Sequence, residues 1–370
     1  MVADDMVILR KILRAWLLVL PLAVAAAPAS AQQDGTVRSN LEQIEPNQTD
    51  AQAPGDDGVI LDVREEMRLM IARISKYARR LKPEFVVVVA GEPGLVTKQG
   101  ETEDDRPPAR AYMRSIDAVM IDGLFFGPTE VDKPANKDRQ TRLMEHAETA
   151  KNAGLKVLVL DAAKTRENIR TSFRENAKRG FVSYAAPAPV DFLNRLPGYW
   201  KRPWGNNADS VVSLRGVKNF VYLTDSSAFG RQDEFAMKMH ETNFDMVVVD
   251  VFHGRNPLNK RAVDTLRYKK MGSRRLALAS VDIGTAASYH YYWKPDWRER
   301  NPQWIRTPLP DDPDRHFVQF WHDEWQKLIY GNTNSFIYGV IQQGYDGIVL
   351  HGLEVVNFFE GGLDAVAENR

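Results

Sequence analysis

The sequence predicts a single (β/α)8 barrel, and three observations carry that fold class. Eight short β-branched runs recur: FVVVVAGE (85–92), AVMIDGLF (118–125), KVLVLDAA (156–163), GFVSYAAP (180–187), FVYLTDSS (220–227), MVVVDVF (246–252), RLALASVDIG (275–284) and YDGIVLHG (345–352). The runs are nearly continuous in apolar residues instead of alternating, which marks strands covered on both faces, as in parallel sheets. Most are separated by helical stretches, and together they span about 270 residues, the size of such a barrel. A doubly wound sheet is the alternative, but no G-x-G-x-x-G or Walker loop supports it.

The elements follow in order. Residues 1–31 read as a signal peptide: Arg10, Lys11 and Arg14 form a positive n-region, AWLLVLPLAVAAA is the apolar stretch, and Ala29-Ser30-Ala31 fits a cleavage site. Asp4 and Asp5 sit oddly in that n-region, which leaves Met6 as an alternative start, and an uncleaved anchor helix is the competing reading. Export to the periplasm or medium follows, with no stable membrane anchor after cleavage. Residues 32–57, rich in Gln, Asn, Asp, Ala and Pro, read as a disordered linker, and the barrel domain occupies 58–370. A helix over 63–81 precedes the first strand. Further helices are expected over 137–153, 166–178, 232–242, 260–269 and 318–343.

Composition narrows the chemistry. The 370 residues carry 49 Lys+Arg against 49 Asp+Glu, so no broad basic field favours nucleic acid or a membrane surface. Cysteine is absent, which excludes disulfides, thiolate catalysis and Cys-ligated metals. Carboxylates, seven histidines, hydroxyls and cations remain. In a barrel of this class the C-terminal strand ends carry the site. That selects Glu92, Asp122, Asp161, Asp225, Asp250, His253, Asp282, His351 and Glu354.

The stretch 280–359 carries a resemblance. Ser280-Val281-Asp282-Ile283-Gly284, Tyr289-His290-Tyr291-Tyr292-Trp293, Trp297, Asn301-Pro302-Gln303-Trp304, Phe320-Trp321-His322-Asp323-Glu324-Trp325 and Gly344-Tyr345-Asp346-Gly347-Ile348-Val349-Leu350 together resemble glycoside hydrolase family 114. That group includes endo-α-1,4-polygalactosaminidases and extracellular proteins once described as cysteinyl-tRNA-synthetase-related. Segments of the first half, among them Met67 to Arg80, Lys82-Pro83-Glu84-Phe85, Leu158-Val159-Leu160-Asp161 and Arg179-Gly180-Phe181-Val182-Ser183-Tyr184, resemble the family's later strands. The order is inverted, which reads as a circular permutation with the usual chain junction falling between Pro187 and Val217. A closed barrel has no privileged first strand, so the change is physically cheap. The segment Asp57-Gly58-Val59-Ile60-Leu61-Asp62 echoes Asp346-Gly347-Ile348-Val349-Leu350-His351, so two copies compete for one strand position; the C-terminal copy is favoured.

The resemblance implies a two-carboxylate glycosidase acting on an amino-sugar-rich exopolysaccharide, with no cofactor. The family pattern is incomplete, however. Where it has G-E-A-E and Tyr-Arg, this chain has Gly284-Thr285-Ala286-Ala287 and Tyr289-His290, and the presumed catalytic aspartate is His351. Three readings therefore stay open. In the first, Asp122 pairs with Asp250 or Glu354 as the catalytic carboxylates. In the second, the barrel binds polysaccharide without cleaving it. In the third, His253 and His351 with Asp250 or Asp282 ligate a metal, although no H-x-H or H-E-x-x-H spacing supports that and no metal is expected. Tyr291, Trp293 and Trp297 are candidates for stacking on sugar, with Asp282, His351 and Asp161 as further substrate contacts. Capping, ion pairing and packing are the structural alternatives for each, and packing is preferred for Trp321 and Trp325.

Overall fold

Continuous apolar runs form strands of a covered parallel sheet, and all eight do so in the computed structural model, which describes residues 61–100, 102 and 105–369. The strands are β1 (Val86–Ala90), β2 (Ala118–Asp122), β3 (Lys156–Ala162), β4 (Val182–Ala186), β5 (Phe220–Leu223), β6 (Met246–Asp250), β7 (Leu276–Asp282) and β8 (Gly347–His351). Their order in the sheet is β4-β3-β2-β1-β8-β7-β6-β5, every pair parallel. Chain order and spatial order agree around the ring, and helices surround it: a nearly closed α/β barrel. The expected signal peptide and linker, and residues 57–60 of the echoed segment, lie outside the described residues. The C-terminal copy fills the contested position, pairing Val86 with Gly347 on one side and His351 with Asp282 on the other.

Closure stops at one junction. Strands β4 and β5 share no ladder, although Tyr184 and Phe220 meet across the gap with ring centroids 5.8 Å apart. The connection between them, residues 187–219, covers the exposed backbone groups. Tyr199 donates its hydroxyl to the Ala185 carbonyl at 2.8 Å and accepts from the Ala185 N–H at 3.1 Å. On the other bank, the Leu193 carbonyl accepts from the Thr224 N–H at 2.9 Å and the Thr224 hydroxyl accepts from the Leu193 N–H at 3.0 Å. Buried backbone groups need partners, and here a loop supplies some of those that an eighth, closing ladder would have made.

Helix α1 (Val63–Leu81) starts on Asp62, whose side chain accepts from the Glu65 N–H at 2.9 Å. Met67, Met70, Ile71, Ile74 and Ala78 repeat every three or four residues and are buried, so this face packs on the barrel. Then come α2 (Arg110–Met113), α3 (Lys137–Asn152), α4 (Arg166–Lys178), α5 (Gln232–His240) and α6 (Lys260–Leu266). The single helix expected over 318–343 is corrected by the structure. Residues Asp312–Val318 form a strand in a three-stranded antiparallel sheet with Thr285–Ala287 and Ile305–Leu309. Two short helices follow, α7 (Asp323–Ile329) and α8 (Phe336–Gln343), broken at Gly331-Asn332-Thr333-Asn334, where Gly331 takes φ 101°. The last helix, α9 (Val355–Asn369), is kinked at Gly362. Among the described residues no helix is long and apolar enough to cross a membrane.

Candidate active site

Asp122, Asp250, Asp282 and His351 each end their strand, which puts all four at the C-terminal rim. Asp250 has the most unusual surroundings. Its side chain accepts one hydrogen bond, from the Phe252 N–H at 2.6 Å. Part of the residue still meets solvent in the mouth, yet the carboxyl is hemmed in by protein. Burial pushes its pKa up to about 6; Asp225 and Asp282 add repulsion, while the Phe252 N–H and Arg315 work the other way.

Asp282 is held differently. It accepts from the Gly284 and Thr285 N–H groups, both at 2.9 Å, and from the Thr285 hydroxyl at 2.5 Å. Arg315, on the strand Asp312–Val318, approaches the same carboxylate at 3.4 Å and donates to the Tyr289 hydroxyl at 2.9 Å. Burial disfavours the Arg315 cation, but Asp282, Tyr289 and Asp312 more than offset it, so its pKa stands above the ordinary value. The backbone of Gly352 passes so close that a Cβ there would strike Asp282 Oδ1, and its φ of +77° also suits glycine. His351 Nδ1 lies 4.0 Å from Asp282. Burial pushes His290, nearby, down to about 4, with Arg315 and His351 reinforcing and Asp282 opposing, so its imidazole is neutral at pH 7.

A second group gathers at β1 and β2. Asp122 and Glu354 line one cavity of about 190 Å³ with Glu92, Arg139, His146 and Asn357. Arg139 fixes the end of β2, donating to the Asp122 and Gly123 carbonyls at 3.0 and 2.9 Å. Glu92 accepts from Arg64 at 3.2 Å and from Asn357 at 2.9 Å. Gly91, at φ +96°, lets the chain pass Glu354, whose Oε2 would lie 2.9 Å from an added Cβ. The two groups meet at Tyr222 of β5. Its buried hydroxyl is 2.6 Å from Ser280 Oγ, and burial raises its pKa, reinforced by the charges of Asp122, Asp250 and Asp282 together. Those three carboxylates each close a strand of one parallel sheet, so they lie at the same end of the barrel.

Other candidates are committed to the fold. Asp161, expected to touch substrate, is fully buried and accepts from the Phe125 and Phe126 N–H groups at 2.8 and 3.2 Å, Ser172 at 2.6 Å and Asn176 at 3.2 Å. His253 bridges Ser226 at 2.9 Å and the Gly230 carbonyl at 2.6 Å, so both ring nitrogens are occupied. Among the described residues no group of three metal-ligating side chains exists. Trp293 and Trp297 pack edge to face at 5.7 Å, Trp293 meets His316 and Trp297 meets Trp304, so both half-buried indoles are engaged in a cluster of rings. Trp325 is buried and donates to the Ile283 carbonyl at 2.9 Å. Tyr291 alone of the three aromatic candidates is largely exposed; it lines a cavity of about 330 Å³ beside Phe252 and Phe336. Sequence reasoning missed Arg315 and Tyr222, since neither occupies a strand end.

No family model matches the chain. Uncharacterized protein MJ1477 of Methanocaldococcus jannaschii is 27% identical over 162 residues, 43% of this chain and 45% of that protein. An uncharacterized protein of Thermotoga maritima is 24% identical over 150 residues, 40% and 45% of the two chains. One of Deinococcus radiodurans is 29% identical over 112 residues, 30% and 34%. The chain spans less than half the length of these curated relatives.

Proposed function

We propose that this chain is an exported, glycoside-hydrolase-like barrel acting on an amino-sugar-rich polysaccharide through two carboxylates, in a circularly permuted version of the family 114 arrangement. The observation that carries the reading is Asp250, a carboxyl with one hydrogen-bond donor and a pKa raised to about 6, facing the same barrel end as Asp122. A glycosidase needs one acid still protonated at working pH and one carboxylate across the scissile bond. Asp250 on β6 supplies the proton to the leaving oxygen. Asp122 on β2, four places away in the eight-strand order, is the opposing base or nucleophile. Two facts favour the permutation. The matches to the relatives cover less than half of each chain, as a difference in segment order would produce. The unpaired junction between β4 and β5 also coincides with the position where the family's two chain ends would meet.

One observation favours the rival reading, a barrel that binds glycan without cleaving it. Thr285 and Ala287, at the positions of the family glutamates, are buried in the antiparallel sheet, and His351 replaces its aspartate. Incubation of purified protein with galactosamine-containing polymers separates the two. New reducing ends that disappear in Asp250→Asn and Asp122→Asn support the enzyme. Binding without cleavage, unchanged by either substitution, supports the rival. Activity lost to a chelator and restored by a divalent ion would overturn both. The export reading is checked by N-terminal sequencing of the mature protein, expected to begin at Gln32.

A further inference from the structure

A groove of about 790 Å³ lies apart from the carboxylates, against the ends of β3 and β4 and the start of the 187–219 connection. Five cations line it: Lys164, Arg166, Arg170, Arg195 and Arg202. All five are exposed, and among the described residues none is engaged in an ion pair and no carboxylate joins the lining. The chain as a whole balances its basic and acidic residues, at 49 each, whereas the lining of this groove carries five cations and no carboxylate. Several surface cations elsewhere do pair with acids, as in Arg174–Glu175, Arg231–Asp233 and Lys238–Glu241.

The groove also has an aromatic floor. Trp204 lies parallel to Phe173 with centroids 5.2 Å apart and planes 3° apart, and Tyr199 meets Phe173 edge-on at 5.4 Å. One indole face packs against Phe173, while the residue remains 49% exposed and lines the groove, which leaves indole surface available to a ligand. An open indole face accepts the C–H face of a sugar ring, and arginine forks match carboxylate or phosphate oxygens in pairs. The volume falls within the range of small-ligand sites, roughly 300–1,000 Å³.

We infer that this groove binds an anionic saccharide, a sugar chain carrying carboxylate or phosphate groups, with one ring on Trp204 and its charged substituents on the surrounding arginines. The choice of saccharide over single-stranded nucleic acid rests in part on the carbohydrate reading of the mouth. It rests equally on the groove having one exposed ring, Trp204, where a base-stacking channel presents several in succession. The groove adjoins Ala163, Ala185 and Pro187, which follow or end β3 and β4, so it opens at the same end of the barrel as the carboxylates. A chain running from groove to mouth would be gripped by its acidic units here.

The test is equilibrium binding, read without turnover, so a failure of the cleavage reading leaves it intact. The probes are an oligogalacturonate, its methyl-esterified form, a phosphate-bearing oligomannose and an oligo-dT of similar length. Saturable binding of the uronate or the phosphorylated oligomer is expected, with the ester bound at least about tenfold more weakly and affinity falling as salt rises. Arg195→Glu/Arg202→Glu should weaken binding about tenfold and Trp204→Ala several-fold, with unchanged circular dichroism because all three side chains are exposed. No saturable binding of either anionic saccharide overturns the proposal. So does binding indifferent to both variants, and so does oligo-dT binding more tightly than the saccharides through the same residues.

Discussion

The ends of β3 and β6 offer the same residue in contrasting settings. Asp161 and Asp250 are both strand-end aspartates whose pKa burial raises. Asp161 is surrounded by donors from the β2–α3 loop and from α4, which answer the burial with four hydrogen bonds. Asp250 has one, and its remaining capacity faces the mouth. Burial alone does not mark a reactive carboxyl. Burial with few donors and an opening does, since the cost of charge then holds a proton on the carboxyl where a substrate can take it.

Substitution should separate the two. Asp250→Asn is expected to reduce turnover of a productive polymer about 10³-fold, roughly 4 kcal/mol in the barrier, measured as new reducing ends. Asp161→Ala should instead cost about 3 kcal/mol of stability in urea titration, because two N–H groups, Ser172 and Asn176 lose their shared acceptor. Equal loss of stability in both would erase the contrast.

The pH dependence sharpens it. With a folded pKa near 6 and an unfolded one near 3.9, Asp250 binds its proton more tightly when folded. Its contribution is therefore fully present below about pH 4 and is lost as pH rises through about 6. Asp250→Asn removes that slope, so the variant should gain about 2 kcal/mol on wild type between pH 3 and pH 8, the residual solvent contact keeping the figure below the full shift. Smallest of all, Arg315→Gln should move the Asp250 carboxyl titration upward from about 6 by less than about one unit, since Arg315 opposes the shift; ¹³C NMR of the side chain reads it directly. A downward move would mean that Arg315 does not act on Asp250.

Much of the fold was legible because barrel strands are buried on both faces, so each run in the sequence was nearly continuous in apolar residues and each became a strand. The rim positions were legible for the same reason: a polar residue closing such a run has to emerge at an end. Roles at those positions were not. Asp161 and Asp250 read alike, since the donors that distinguish them come from residues 125, 126, 172 and 176, brought together only by packing. Arg315 reaches Asp282 because strand pairing sets Ala287 opposite it, a relation between distant segments that no local pattern announces. The broken helix at 331–334 was missed because its apolar spacing continued on both sides of the interruption.

The junction between β4 and β5 has one more consequence. A sheet that does not close keeps an edge, and a free edge is a template on which another chain can add a strand. In this barrel a single phenol, Tyr199, occupies both edge groups of Ala185, and the same ring helps to floor the cationic groove. Resistance to self-association is thereby tied to the integrity of a surface loop, so damage to that loop would expose a strand edge as well as a groove.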